Sequence, residues 1–125
     1  MHRTTFQYFR SCLSEGISCE ALIADVLKNI DAQDARLGLF EYVARQEALS
    51  AARALDKAPN LRNELPLYGM PFAVKDIINV AQMPTKFGCK APIGYVAQSD
   101  AAVVRKLRSL LSLIHISEPT RLHTI

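Results

Sequence analysis

The sequence predicts an α/β layer fold. Three observations carry that expectation. Apolar residues recur three and four positions apart in four stretches, the spacing of a one-sided helix. Two short runs, 37–43 and 72–75, are rich in aromatic and β-branched residues, as strands are. Helical and strand-like stretches then alternate along the chain, the order of a layered α/β architecture.

The first helix is predicted over 4–14, with Phe6, Phe9 and Leu13 on one side and Gly16 just beyond as a stop. Ser18 is placed to cap a second helix whose face is Leu22, Ile23, Val26, Leu27 and Ile30. Glu20 lies in its first turn, where the helix dipole favours an anion. Residues 37–43 read as a strand. The alanine-rich stretch 45–57 reads as a helix with Ala48, Leu49, Ala52 and Leu55 inward. Residues 59–63 read as a loop, and Pro71 heads a strand over 72–75 expected to be buried on both faces. The stretch 81–99, with Pro84, Gly88, Pro92 and Gly94, is expected to be mostly irregular. Asp100 is placed to cap a last helix with the core stripe Val103, Val104, Leu107 and Leu110, its Arg105, Lys106 and Arg108 facing water. So few strands do not close a sheet. Residues 1–110 are therefore expected to be the N-terminal part of a larger domain.

Residues 111–121, Leu-Ser-Leu-Ile-His-Ile-Ser-Glu-Pro-Thr-Arg, resemble the translation of adapter DNA used in sequencing libraries. On that reading 111–125 is an artefactual tail, to be left out of fold reasoning. Without it, His2 is the sole histidine that remains.

Composition narrows the function. Half the residues are hydrophobic and 22% are charged, as in a packed chain. The net charge is +3 and no dense basic cluster occurs, which argues against nucleic-acid or membrane-surface roles. Three cysteines, Cys12, Cys19 and Cys89, form no zinc spacing and no disulfide framework. No apolar run has the length of a bilayer span, and no signal-peptide core is present. A reducing, cytoplasmic setting fits these features.

One residue stands out. Lys75 closes the run Gly69-Met70-Pro71-Phe72-Ala73-Val74-Lys75-Asp76 and is followed by Ile77-Ile78-Asn79-Val80. An ammonium among apolar residues is costly unless paired, and desolvation favours the neutral amine that accepts a proton. A lysine at the end of a buried strand is thus a candidate proton-transfer group. Asp76 is assigned no chemistry, Cys89 reads as a buried small residue, and Tyr68 and Phe72 read as packing.

Around Lys75 the chain resembles the amidase signature family of serine hydrolases, which includes amidases, allophanate hydrolase and the A subunit of glutamyl-tRNA amidotransferase. The likeness continues through Asn79-Val80-Ala81, Met83-Pro84-Thr85, Gly88-Cys89 and the helix 99–108, and covers roughly residues 15–110. The resemblance implies an α/β/α fold with a mixed sheet wrapped by helices. It also implies a Ser–cis-Ser–Lys triad with Lys75 as the catalytic lysine, no metal and no organic cofactor. Lysine would take a proton from a bridging serine, which activates a nucleophilic serine to form an acyl-enzyme on an amide carbonyl.

Two positions depart from the family pattern. Gln82 stands where the family usually has glycine, and Lys86 where it has a small or hydroxyl residue, a cation near the mouth of the site. The family's Gly-Ser-Ser-Gly-like loop and nucleophile segment are not found in these residues. Serines 11, 14, 18, 50, 99 and 109 stand in no glycine-rich context. The 125 residues alone are accordingly expected to be inactive and to fold poorly. The implied partner is a small-molecule amide (aliphatic, aryl or fatty amides, or urea derivatives such as allophanate), with substrate-binding residues unassigned. No membrane is implied, a homo-oligomer is compatible, and nucleic acid enters only on one alternative. That alternative is the glutamine-hydrolysing subunit of a tRNA-dependent amidotransferase. Another is a non-catalytic α/β interaction module.

Overall fold

A computed structural model describes residues 5–89, 95–111 and 115–118, with 111 and 115–118 described by backbone alone. Helix α1 (Thr5–Ser14) buries Phe9, Cys12 and Leu13. It stops as the sequence predicts. Gly16 takes φ +90°, its N–H donates to Leu13 O (3.2 Å), and Ile17 N–H donates to Cys12 O (3.0 Å). These are the paired bonds of a Schellman cap, which glycine adopts without a Cβ clash.

Helix α2 (Cys19–Leu37) begins with all its leading N–H groups satisfied. Ser18 Oγ accepts from Ala21 N (3.1 Å), and Leu22 N donates to Ser18 O (3.1 Å). The first two N–H groups, of Cys19 and Glu20, donate to Asp56 Oδ1 and Oδ2 at 2.7 and 3.0 Å. Asp56 ends helix α3 (Arg45–Asp56), so one carboxylate ties the two helices together. An ion pair between Arg53 Nε and Glu20 Oε1 (2.7 Å) lies beside it. The inward face of α3 is Ala48, Ala51, Ala52 and Leu55, and its three alanines let it pack closely on α2.

The strand expected over 37–43 shrinks to β1 (Tyr42–Val43). Helix α2 runs past Ile30 because residues 31–36 contain no breaker. It ends where Gly38 takes φ +57° and donates to Asp34 O (2.7 Å). Asp34 Oδ1 then accepts from the N–H groups of Leu39 and Phe40, holding them out of a ladder. The single turn α4 (Leu61–Glu64) overlaps the loop expected over 59–63 and runs one residue past it.

Strand β2 (Phe72–Lys75) has the predicted bounds but not the predicted burial. Only Val74 is buried; Ala73 and Lys75 are exposed. Val74 packs with Ala44, Val80, Met83 and Val104, whereas Ala73, Lys75 and Ile77 face away from that core and are exposed. Among the described residues no layer covers that second face.

After β2 the described residues of 81–99 are mostly irregular, as expected, with one isolated bridge, and positions 90–94 lie outside the described residues. Pro84 and Val96 form an antiparallel bridge, flanked by Thr85 N to Tyr95 O (3.2 Å) and Gln82 N to Ala97 O (2.9 Å). Helix α5 (Ala102–Leu111) buries Val104, while Val103 is 53% exposed and leaves the expected core stripe. Asp100 is not its cap. The Asp100 carboxylate instead accepts from Ala81 N (2.7 Å) and pairs with Arg108 Nε (3.1 Å). It thereby ties α5 to the loop after β2.

Strand β3 (His115–Glu118) lies in the middle of a mixed sheet of order β1-β3-β2, antiparallel to β1 and parallel to β2. β3 falls within residues 111–121, the stretch that resembles translated adapter DNA. Positions 112–114 and 119–125 lie outside the described residues. Two cores result, one inside the helical layer and a smaller one between sheet and α5.

Candidate active site

Lys75 and Asp76 stand at the C-terminal end of β2 and point to opposite sides, as successive strand residues do. Asp76 points inward, 3% exposed. Its Oδ1 accepts from Lys86 N (2.9 Å), its Oδ2 from Gly88 N (3.1 Å), and its carbonyl from Phe87 N (3.1 Å). The turn 86–89 closes with Cys89 N to Lys86 O (2.9 Å). Its central residues Phe87 and Gly88 both have positive φ, +55° and +71°, the sense of a type I′ turn. A buried carboxylate needs such donors, so Asp76 folds this turn against the strand end beside Lys75.

The other predicted positions gather around that turn. Lys86 pairs with Glu41 just before β1, so its charge is not free at the site mouth. Gln82 has φ +65°, a left-handed backbone that explains why glycine suits the position. Cys89 is exposed rather than buried, since it sits on the outer side of the turn. Asn79 Nδ2 donates to Tyr95 Oη (3.3 Å), and Asn79 O accepts from Ala101 N (2.9 Å). Lys75 itself is exposed, and among the described residues its ammonium has no hydrogen-bond or ion-pair partner. Tyr68 is core as predicted, its hydroxyl donating to Leu55 O at 2.6 Å.

The sequence reading missed Asp76 as the organiser. The available signal was an acid closing an apolar strand, with Gly88 following it in a loop. The clearly perturbed acids lie away from the site, in the helical layer. Burial, then the neighbouring Asp56 charge, pushes the Cys19 thiol up to about 11. Burial, then Cys19, raises the Tyr68 hydroxyl. Two cavities of about 230 and 220 Å³ also lie on the helices, and Lys75 lines neither. Among the described residues no cluster of His, Cys, Asp and Glu is placed to hold a metal, and no helix is long and apolar enough to cross a membrane.

The comparisons with known proteins bear on the family and the fold. The chain is 38% identical over 109 residues to the A subunit of the glutamyl-tRNA(Gln) amidotransferase of Salinibacter ruber, covering 86% of this chain and 21% of that protein. Its fold is similar to an amidase family protein from Bacillus anthracis, with TM-score 0.82 and 26% identity over 93% of this chain and 24% of the other. It is also similar to the native peptide amidase from Stenotrophomonas maltophilia, with TM-score 0.70 and 28% identity over 89% of this chain and 23% of the other. The chain thus spans about a fifth of the length of the curated relatives it matches. The amidase family model matches residues 21–114, across both helices of the capped pair, the lysine strand and its clamped turn. The chain belongs to the amidase signature family.

Proposed function

We propose that this chain supplies the lysine end of an amide-hydrolysing centre. The observation that carries the reading is the placement of Lys75 at the mouth of β2, beside a turn clamped by buried Asp76, within the span that matches the family. In this reading Lys75 takes a proton from a bridging serine, and that serine activates a second as nucleophile. The relay then runs in reverse to protonate the departing amine. Both hydroxyls come from outside these 125 residues, and the open face of β2 must be covered to dry the amine. The chain by itself is expected not to turn over amides. One missing oxyanion donor alone costs about 100- to 1,000-fold in rate.

In a polypeptide extended to the length of the relatives, Lys75→Ala should lower kcat/KM for amide hydrolysis by about 100- to 10,000-fold. Circular dichroism should match the parent. Near-normal hydrolysis by that variant would remove the assignment.

A second reading is favoured by the 38% identity to the amidotransferase protein of Salinibacter ruber. Here the amide is the side chain of glutamine and the released ammonia passes to an aminoacyl-tRNA. Ammonia release from glutamine, against little release from simple aliphatic amides, separates this reading from a general amidase.

A further inference from the structure

Lys75 stands between two anchored neighbours. Val74 and Asp76 are 6% and 3% exposed, while Lys75 itself is exposed on the open face of β2. The main chain around it is held as well. Lys75 O accepts from Ile78 N (2.9 Å), and Lys75 lies opposite Glu118 in the parallel ladder.

Asp76 binds the strand end to the 86–89 turn three times. Its two carboxylate oxygens take the N–H groups of Lys86 and Gly88, and its carbonyl takes that of Phe87. A carboxylate buried in this way is satisfied only while the turn is in place. The Asp76 side chain points to the core side, so its influence on a reaction at Lys75 runs through the main chain. Lysine has a flexible four-carbon stem, and the direction of its Cα–Cβ bond sets the volume that the amine sweeps. A reacting group misplaced by about 1 Å costs roughly 100-fold in rate.

We propose that Asp76 is a positioning residue for amide hydrolysis. By clamping the turn to the strand end it fixes the base from which Lys75 reaches the bridging serine. The inference rests on the reading of Lys75 as the catalytic lysine. Asp56 offers a matched comparison. It too is a carboxylate that accepts from two backbone N–H groups, at 2.7 and 3.0 Å, but it does so in the helical layer. Loss of either removes such a clamp, and only loss of Asp76 loosens the lysine.

The test measures kcat and KM in a polypeptide extended to the length of the relatives. Asp76→Ala, Asp76→Asn and Asp56→Ala are compared where circular dichroism shows each to be folded. Asp76→Ala should lower kcat about 100-fold and leave KM within about twofold. Asp76→Asn, which retains one acceptor oxygen, should lower kcat about tenfold. Asp56→Ala, remote from the strand end, should keep kcat within about twofold. Added to Lys75→Ala, the change Asp76→Ala should leave the residual rate as it is, because residues that act as a unit are not additive. In the 125-residue chain itself, the Lys86 and Gly88 amide protons should exchange about tenfold faster in Asp76→Asn than in the parent.

A kcat for Asp76→Ala no lower than that for Asp56→Ala would overturn the proposal. So would a further loss when Asp76→Ala is added to Lys75→Ala, or unchanged exchange of the two amides. A fold lost in both Asp76 variants would overturn it too, since Asp76 would then serve folding alone. Near-normal hydrolysis by Lys75→Ala would instead remove the catalytic reading, and the positioning role with it.

Discussion

Gln82 is an ordinary residue held in a backbone conformation that L-amino acids resist. Its φ of +65° is fixed by the bond from its N–H to Ala97 O, which aligns the bridge between Pro84 and Val96. A side chain in the left-handed region costs about 1–2 kcal/mol, and glycine escapes most of that at some cost in chain entropy. Gln82→Gly should therefore raise stability by about 0.5 kcal/mol, read from the urea midpoint, while Gln82→Ala gives no gain. The resemblance flagged this position, but Phe87, with φ +55°, carried no such mark. A positive φ is set by neighbours that local patterns do not contain. The three thiols make a second test at this scale. Cys89 is exposed while Cys12 and Cys19 are buried, so an alkylating reagent at pH 8 should label Cys89 first, as peptide mass spectrometry would show. Cys19 keeps its proton up to about pH 11 when folded, against an ordinary value of 9.0. Its contribution to stability is thus whole below pH 9.0 and lost as the pH rises toward 11. A Cys19 labelling rate equal to that of Cys89 would contradict its burial.

Between elements, the strongest link is the Asp56 carboxylate on the first two N–H groups of α2. A capping side chain usually comes from the helix's own leading residue, and Ser18 does that for Ala21. Asp56 doubles the cap from the end of another helix. Asp56→Ala should cost about 1–2 kcal/mol, while Asp56→Asn, which retains one acceptor oxygen, should cost less. Equal losses for the two would show that the charge, not the acceptor geometry, is what matters. Ser18, Glu20 and the apolar face of α2 were readable because they are local. Asp56 was not, since nothing in the sequence near Asp56 announces Cys19 as its partner. The same limit explains the α2 end and the misread cap at Asp100. Asp34 and Asp100 were each free to bond locally or at a distance, and tertiary contacts chose.

For the molecule as a whole, the helical layer holds the larger core and the sheet with α5 the smaller one. Leu22, Ile23, Leu27, Ala52 and Leu55 form a core with few gaps to water, whereas Ile77, Phe87, Tyr95, Val96 and Val103 lie exposed around the sheet and α5. Open apolar surface and an unpaired strand edge favour association. Hydrogen exchange should find the amides of α2 and α3 protected well beyond those of β2 and β3. Sedimentation of the chain should show mass rising with concentration; a monomer at all concentrations would oppose this account. The α/β class, the lysine strand and most of the helices were legible because each is written in a local period. The burial of β2 was not, because it depends on layers that these residues do not provide.

One feature of the sheet reaches further. Among the described residues β3 stands between β1 and β2 in the sheet and pairs with both. A main-chain ladder reads amides and carbonyls, so the slot between Tyr42 and Lys75 takes an extended tetrapeptide without proline whose inward side chains suit the core beneath it. Splicing a foreign sequence onto residue 111 would leave the lysine at the same height in the sheet, with a new neighbour opposite it.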